Sequence, residues 1–257
     1  MRLLLDLGNS RLKWALQGTA PGWLASGAVG WGELVPAMLI RTWASLPLPL
    51  AVAGASVVDG EREALVAACV AECGAPAPLW LRTPVEACGV RNAYAEPARL
   101  GVDRFLAMVA AHAEGLGDCV LVGAGTALTL DALAADGRHL GGLIAPGPRL
   151  MQQALLGATV QVRPASPGRI LPLADNTADA VVSGCWQAAA ALVERFVAQV
   201  TPQLGGAPAL SLGGGDAEAL AALLGLPHRI VEDSVLQGLA VWARLAEPGQ
   251  LGGDDAR

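Results

Sequence analysis

Lysine is almost missing from this chain of 257 residues: Lys13 is the only one, against sixteen arginines. Charged residues of either sign make up 16% of the sequence, the net charge is −6, and no run of like charges occurs. The scattered basic residues exclude the basic stripe of a nucleic-acid-binding surface. Cys69, Cys73, Cys88, Cys119 and Cys185 are odd in number, which leaves no complete set of disulfide pairs. Cys69 and Cys73 lie one helical turn apart, but no His or second Cys pair completes a zinc pattern. They read as small buried hydrophobes in a reducing compartment. His112, His139 and His228 are dispersed and lack metal spacing. Long apolar runs are missing as well. Asp6 cuts the leucine run after Arg2 too early for a signal peptide. Pro47, Pro49 and Gly54 interrupt the uncharged stretch from 42 to 58, so no membrane span is expected. What is present is a 53% apolar content, ample for one large domain or two lobes of a cytoplasmic protein.

The sole lysine sits in Leu3-Leu4-Leu5-Asp6-Leu7-Gly8-Asn9-Ser10-Arg11-Leu12-Lys13-Trp14. An apolar strand over 2–7, a Gly8-Asn9-Ser10 turn and an alternating strand to Leu16 form a hairpin. A near echo follows 117 positions later, from Asp6 to Gly123. There a strand over 118–122, a Gly123-Ala124-Gly125-Thr126 turn and a return over 127–131 repeat the pattern. Between them, 50–58 and 80–81 read as strands and 61–73 as a helix with Leu65, Cys69 and Cys73 inward. Residues 92–100 read as a loop and 103–114 as a helix. Further on come a strand over 141–144, a helix over 149–156, an irregular segment over 157–176 and a long helix over 178–200. The strand at 210–212 leads into Gly213-Gly214-Gly215-Asp216, a helix to Leu224 and a last helix over 233–246. The tail from Glu247 reads as frayed. The fold class is α/β, with mixed sheets because hairpins make antiparallel neighbours.

Several residues have the chemistry of a site. Backbone amides at Gly8-Asn9-Ser10, beside the Lys13 ammonium, suit phosphate oxygens, and Asp6 suits a hydrated magnesium ion. An ordinary surface hairpin explains the same residues. Thr126 after Gly125 offers a second hydroxyl for phosphate, or else closes a simple turn. The three glycines from Gly213 permit an adenine ring to lie flat, or merely a flexible turn. Asp103 in Gly101-Val102-Asp103-Arg104 is either a helix N-cap or a general base, with Arg104 gripping a carboxylate. Tyr94, the only tyrosine, is a pocket wall or core.

Taken in order, these pieces resemble the type III pantothenate kinases of the acetate and sugar kinase, heat-shock chaperone and actin superfamily. The resemblance runs from Leu3 to about Gly238. It rests on Asp6 to Ser10 with Lys13, Gly101 to Arg104, Gly125 to Asp131, Gly141 to Gly147 with Leu150-Met151, Asn176-Thr177 with Ser183-Gly184, and the glycines at 213. It implies two actin-like, ribonuclease H-like lobes, 1–115 and 116–257, with a nucleotide cleft between them. It implies ATP-dependent phosphorylation of pantothenate on its terminal hydroxyl, the first step of coenzyme A synthesis, in a homodimer. Asp6, Leu7, Gly8, Asn9, Ser10, Arg11, Leu12, Lys13 and Thr126 would hold the nucleotide. Asp103 would take the proton. Tyr94, Gly101, Val102, Asp103 and Arg104 would line the substrate site, with Thr177 reaching it from the opposing subunit.

One position departs from the resemblance. The family carries an Asp, associated with potassium or ammonium, two residues before the Gly-Thr, and here that place is Gly123. Backbone carbonyls and water would then hold the cation, the cation would be dispensable, or the protein would be an impaired relative acting as a nucleotide-binding accessory. The retention of Asp6, Lys13, Asp103 and Thr126 favours an active enzyme.

Overall fold

The computed structural model describes residues 1–159 and 167–245. Two compact units are present, and each is built on a five-stranded mixed sheet.

The first unit contains strands β1 (Arg2–Leu7), β2 (Arg11–Gln17), β3 (Trp23–Gly30), β4 (Ala51–Ser56) and β5 (Leu79–Leu81), in the order β3-β2-β1-β4-β5. β1 pairs antiparallel with β2 and parallel with β4. The leucine run of β1 is buried on both faces, as a central strand between two helical layers requires. Leu3, Leu5 and Leu7 pack with Leu39 and Trp43 of helix α1 (Pro36–Ala44) and with Val66, Cys69 and Val70 of α2 (Gly60–Glu72). Leu4 points the other way. There it joins Val102 and Leu106 of α3 (Val102–Ala113) and Leu236, Leu239 and Ala240 of the C-terminal helix. Each fully buried leucine contributes about 1.5–3 kcal/mol. A two-stranded ribbon, β6 (Glu86–Ala87) and β7 (Val90–Arg91), precedes α3.

The second unit repeats the topology. Strands β8 (Cys119–Ala124), β9 (Ala127–Leu133), β10 (His139–Pro146), β11 (Ala209–Gly213) and β12 (Arg229–Ile230) run in the order β10-β9-β8-β11-β12, again antiparallel at one end and parallel at the other. The repeated strand order agrees with the actin-like fold that the resemblance implies. Helix α4 (Pro148–Ala158) follows β10. Helix α5 (Thr177–Leu204) lays Trp186, Ala189, Val193 and Phe196 on the sheet. Its 28 residues make a rod about 42 Å long. The Asn176 side chain caps it by accepting the Asp179 N–H at 3.0 Å, and Gly205 ends it at φ 74°. Helix α6 (Ala217–Ala221) follows β11.

Four expectations need correction. The last helix, α7 (Ser234–Leu245), groups with the first unit and not the second, so a single boundary at 115/116 does not divide the chain. The reason is steric as well as apolar: Gly238 lies against the Leu106 carbonyl where a Cβ would collide, which lets α7 press onto α3. In α2 the buried stripe is Val66, Cys69 and Val70, whereas Leu65 is 38% exposed. Gly123 lies inside β8 and does not open the turn, which is confined to Gly125 and Thr126. Residues 157 and 158 finish α4 and are not irregular. Within that expected irregular segment, 160–166 lie outside the described residues, as does the tail from 246. Several elements were not anticipated at all, the β6 and β7 ribbon among them. β3 is an edge strand of mostly small side chains, α1 starts on Pro36 and is nine residues long, and β12 has two residues. Among the described residues no helix is long and apolar enough to cross a membrane.

Candidate functional site

The predicted site residues fall into two groups, one in each unit. In the first, β1 and β2 end at the Gly8-Asn9-Ser10 turn, closed by the Gly8 N–H donating to the Arg11 carbonyl at 3.1 Å. Asp6 and Lys13 are direct partners across the two strands, and Leu7 pairs with Leu12. Alternation along β1 puts Asp6 on the Leu4 side, the face covered by α3. The carboxylate and the ammonium therefore stand side by side at the end of the hairpin. Leu7 and Leu12 are buried and anchor it, while Asn9, Ser10 and Arg11 are exposed at its tip. Trp31, which the sequence did not single out, also touches this turn: its indole N–H donates to the Gly8 carbonyl at 2.8 Å.

On the same sheet face, α3 begins at Val102 with Gly101 as its N-cap. Asp103 is thus not the cap but the second helical residue, and one of its oxygens accepts the Arg104 N–H at 2.9 Å. A carboxylate in the first turn sits in the favourable end of the helix dipole. Val102 packs in the cluster that holds Ala55, and Ala55 is the register partner of Asp6 on β4. Arg104 is only 6% exposed. Its Nη1 donates to the Tyr94 hydroxyl at 3.1 Å, and its guanidinium lies 5.9 Å from the Tyr94 ring centre. Tyr94 is braced in turn, its N–H donating to the Asn92 side chain at 2.9 Å. Asn92 is itself buried and donates to the Pro97 carbonyl at 3.1 Å. So Tyr94, Arg104 and Asp103 form one connected edge. Because Arg104 is nearly buried and already engaged by tyrosine, it works in a fixed position and not as a free fork on the surface.

In the second unit Gly125 and Thr126 make the turn between β8 and β9, with Thr126 exposed. The Gly125 N–H donates to the Ala127 carbonyl at 3.1 Å, and the Thr126 carbonyl accepts the Gly147 N–H at 2.9 Å. The glycine run after β11 lies against this turn. Gly214, at φ +103°, sits on the Ala124 backbone where any side chain would collide. The Asp216 N–H donates to the Ala124 carbonyl at 3.1 Å, and the buried Asp216 carboxylate accepts from Arg149 Nε at 2.8 Å. Only glycine lets the two backbones approach so closely.

Gly123 faces Thr129 across β8 and β9. A Cβ at Gly123 would stand 2.5 Å from the Thr129 hydroxyl oxygen. Asp131, two residues further along β9, is buried and bonded to His139 Nε2 at 2.9 Å, a pairing across β9 and β10 that spacing did not reveal. Thr177 is the exposed first residue of α5. Close by, the Asp179 carboxyl is held below its ordinary value by the Arg169 N–H, at 2.6 Å, and by the Asn176 side chain.

The sequence profile of the type III pantothenate kinases matches residues 2–199. A type III pantothenate kinase of Aromatoleum aromaticum is 44% identical over 245 residues, covering 95% of this chain and 98% of the relative. One of Laribacter hongkongensis is 42% identical over 250 residues, covering 96% and 100%. Among solved structures, a Sinorhizobium meliloti protein assigned as a 2-dehydro-3-deoxygalactonokinase aligns over 96% of this chain and all of that one. Its TM-score is 0.58 at 16% identity, a likeness of fold alone.

Proposed function

The chain belongs to the type III pantothenate kinase family, and we propose that it does its chemistry with Asp103 as proton acceptor, the Asp6–Lys13 hairpin as phosphate holder and Tyr94 with Arg104 as the wall of the vitamin site. The enzyme phosphorylates pantothenate at the expense of ATP, the entry step to coenzyme A. The observation that carries the residue assignment is that Asp6 and Lys13 share one sheet face with the start of α3.

In the proposed step the Asp103 carboxylate accepts the proton of the pantothenate hydroxyl. That oxygen bonds to the γ-phosphorus while the bond from phosphorus to the β,γ-bridging oxygen breaks, and ADP leaves. Phosphoryl transfer demands alignment and charge neutralisation more than covalent help. Lys13 supplies a compact charge, the N–H groups of the Gly8–Ser10 turn supply fixed dipoles, and the Thr126 hydroxyl supplies a further donor. A single carboxylate at the end of a strand, Asp6, fits a hydrated magnesium ion shared with the nucleotide. When bound, that ion neutralises the phosphate oxygens. The glycine run packed on Ala124 leaves a flat backbone surface suited to adenosine.

The residues do not fit the family's monovalent cation site. Gly123 brings no carboxylate, and the Thr129 hydroxyl fills the space a side chain would enter. Potassium and ammonium therefore have no step here. The accessory-protein reading that Gly123 raised is not favoured, because Asp6, Lys13, Asp103 and Thr126 are all kept.

A homodimer with Thr177 reaching the partner's pantothenate is the assembly we propose. What supports it is exposed apolar surface in the second unit, Leu143 and Ile144 on the edge strand β10 and Leu150 and Leu155 on α4. Five free thiols suit the reducing cytoplasm. The test of the whole reading is ADP release from ATP and magnesium, with and without pantothenate. Release that depends on pantothenate is expected. None from folded protein that still binds ATP would sink it.

A further inference from the structure

We propose that Trp31 is a positioning residue for the nucleotide phosphates, acting by fixing the peptide orientation of the Gly8–Ser10 turn. The inference rests on the reading of that turn as the phosphate holder. Trp31 follows β3 directly, and two of its donors grip the turn: the indole Nε1–H donates to the Gly8 carbonyl at 2.8 Å and the backbone N–H to the Ser10 carbonyl at 3.3 Å.

The consequence follows from peptide geometry. A trans peptide unit carries its C=O and its N–H on opposite sides. Holding the Gly8 carbonyl toward Trp31 therefore aims the Asn9 N–H the other way, at the exposed tip where phosphate oxygens would sit. Released from that bond, the Gly8–Asn9 unit could rotate and present a carbonyl instead. A carbonyl facing phosphate repels where an N–H attracts.

The indole is itself held. The Arg62 guanidinium lies over its ring, 5.3 Å from the centre, and Asp59 fixes Arg62 by accepting from its Nη1 at 3.2 Å and from its backbone N–H at 2.9 Å. A relay thus runs from the cap of α2 through Arg62 and Trp31 to the turn.

The test compares ADP with adenosine, which share a base and ribose but not the phosphates, by calorimetric titration of Trp31→Phe. Phenylalanine keeps the ring and removes the donor. One net hydrogen bond is worth about a five- to tenfold change, so ADP affinity should fall by that much while adenosine affinity stays the same. Unchanged ADP affinity overturns the proposal, and so does an equal loss for both ligands, which marks a merely structural residue. Should Trp31→Phe not fold, Arg62→Ala at a half-exposed side chain carries the same test, with a loss of about twofold for ADP alone. Again, no loss for ADP overturns it. Lys13→Ala separates the two levels. If it leaves ADP affinity untouched in folded protein, the phosphate reading of the hairpin fails; if it weakens ADP while Trp31→Phe does not, only the role of Trp31 fails.

Discussion

Thr129 sets its hydroxyl oxygen 2.5 Å from where a Cβ of Gly123 would be, and the pair occupies the place in the second hairpin that Asp6 and Lys13 occupy in the first. Asp6 and Gly123 stand at the same spacing before the glycine that opens each turn, Gly8 and Gly125, and their partners lie on the return strands. One hairpin carries a carboxylate and an ammonium there, while the other carries hydrogen and a hydroxyl. The two lobes share a topology but not a charge pattern.

The first expectation follows from that pair. With no carboxylate at Gly123, turnover should be the same in potassium, ammonium and sodium buffers of equal ionic strength. Gly123→Asp should be destabilised by about 1–3 kcal/mol, since its side chain must displace Thr129. A strong preference for potassium in the parent enzyme would show that backbone carbonyls and water hold the cation after all.

Removing the Asp103 carboxylate should cost catalysis and spare the fold. Asp103→Asn retains the side-chain oxygen that accepts the Arg104 N–H but loses the base. Turnover should fall by about a hundred- to ten-thousand-fold, with an unchanged melting curve and unchanged ATP binding. A loss under tenfold would remove Asp103 from the reaction.

Tyr94→Phe deletes one hydrogen bond to a buried guanidinium. Hydrogen bonds to charged groups are worth about 1.5–3 kcal/mol, so the variant should melt lower and bind pantothenate more weakly. Its KM for ATP should not move. Steady-state kinetics in both substrates, beside thermal melting, would check the split.

The Asp179 carboxyl is held below its ordinary value of 3.8 by the Arg169 N–H and then by Asn176. A depressed folded-state value stabilises above the unfolded one and is lost as pH falls through the folded one. The melting temperature should therefore drop as pH falls below about 4. Asp179→Asn should flatten that drop. Melting curves of both proteins from pH 7 to pH 3 would settle it, and equal slopes would exclude Asp179 as a source.

Much of the fold was legible because periodicity is local. The leucine run of β1, the Gly8 turn and the alternation of β2 announced a hairpin within fifteen residues, and its echo at β8 and β9 announced the second. The same holds for α3, where Phe105, Leu106, Val109 and Ala110 recur at helical spacing and are buried. β3 and α1 escaped because edge-strand small residues carry little periodic signal and the nine residues of α1 bury only Leu39 and Trp43.

The sequence by itself determined the chemistry on offer: one lysine, an Asp before a glycine turn, an Asp after Gly101, and a glycine where a carboxylate was expected. Those are identities, and no packing alters them. Only the tertiary structure decided which residues share a face and which contacts hold them. It laid α7 on α3, since Gly238 permits the approach. It put the Thr129 hydroxyl against Gly123, buried Arg104 beneath Tyr94 and brought Trp31 onto the Gly8 carbonyl. Each of these contacts joins positions whose distance in space depends on strand register and helix docking, which a linear pattern does not encode.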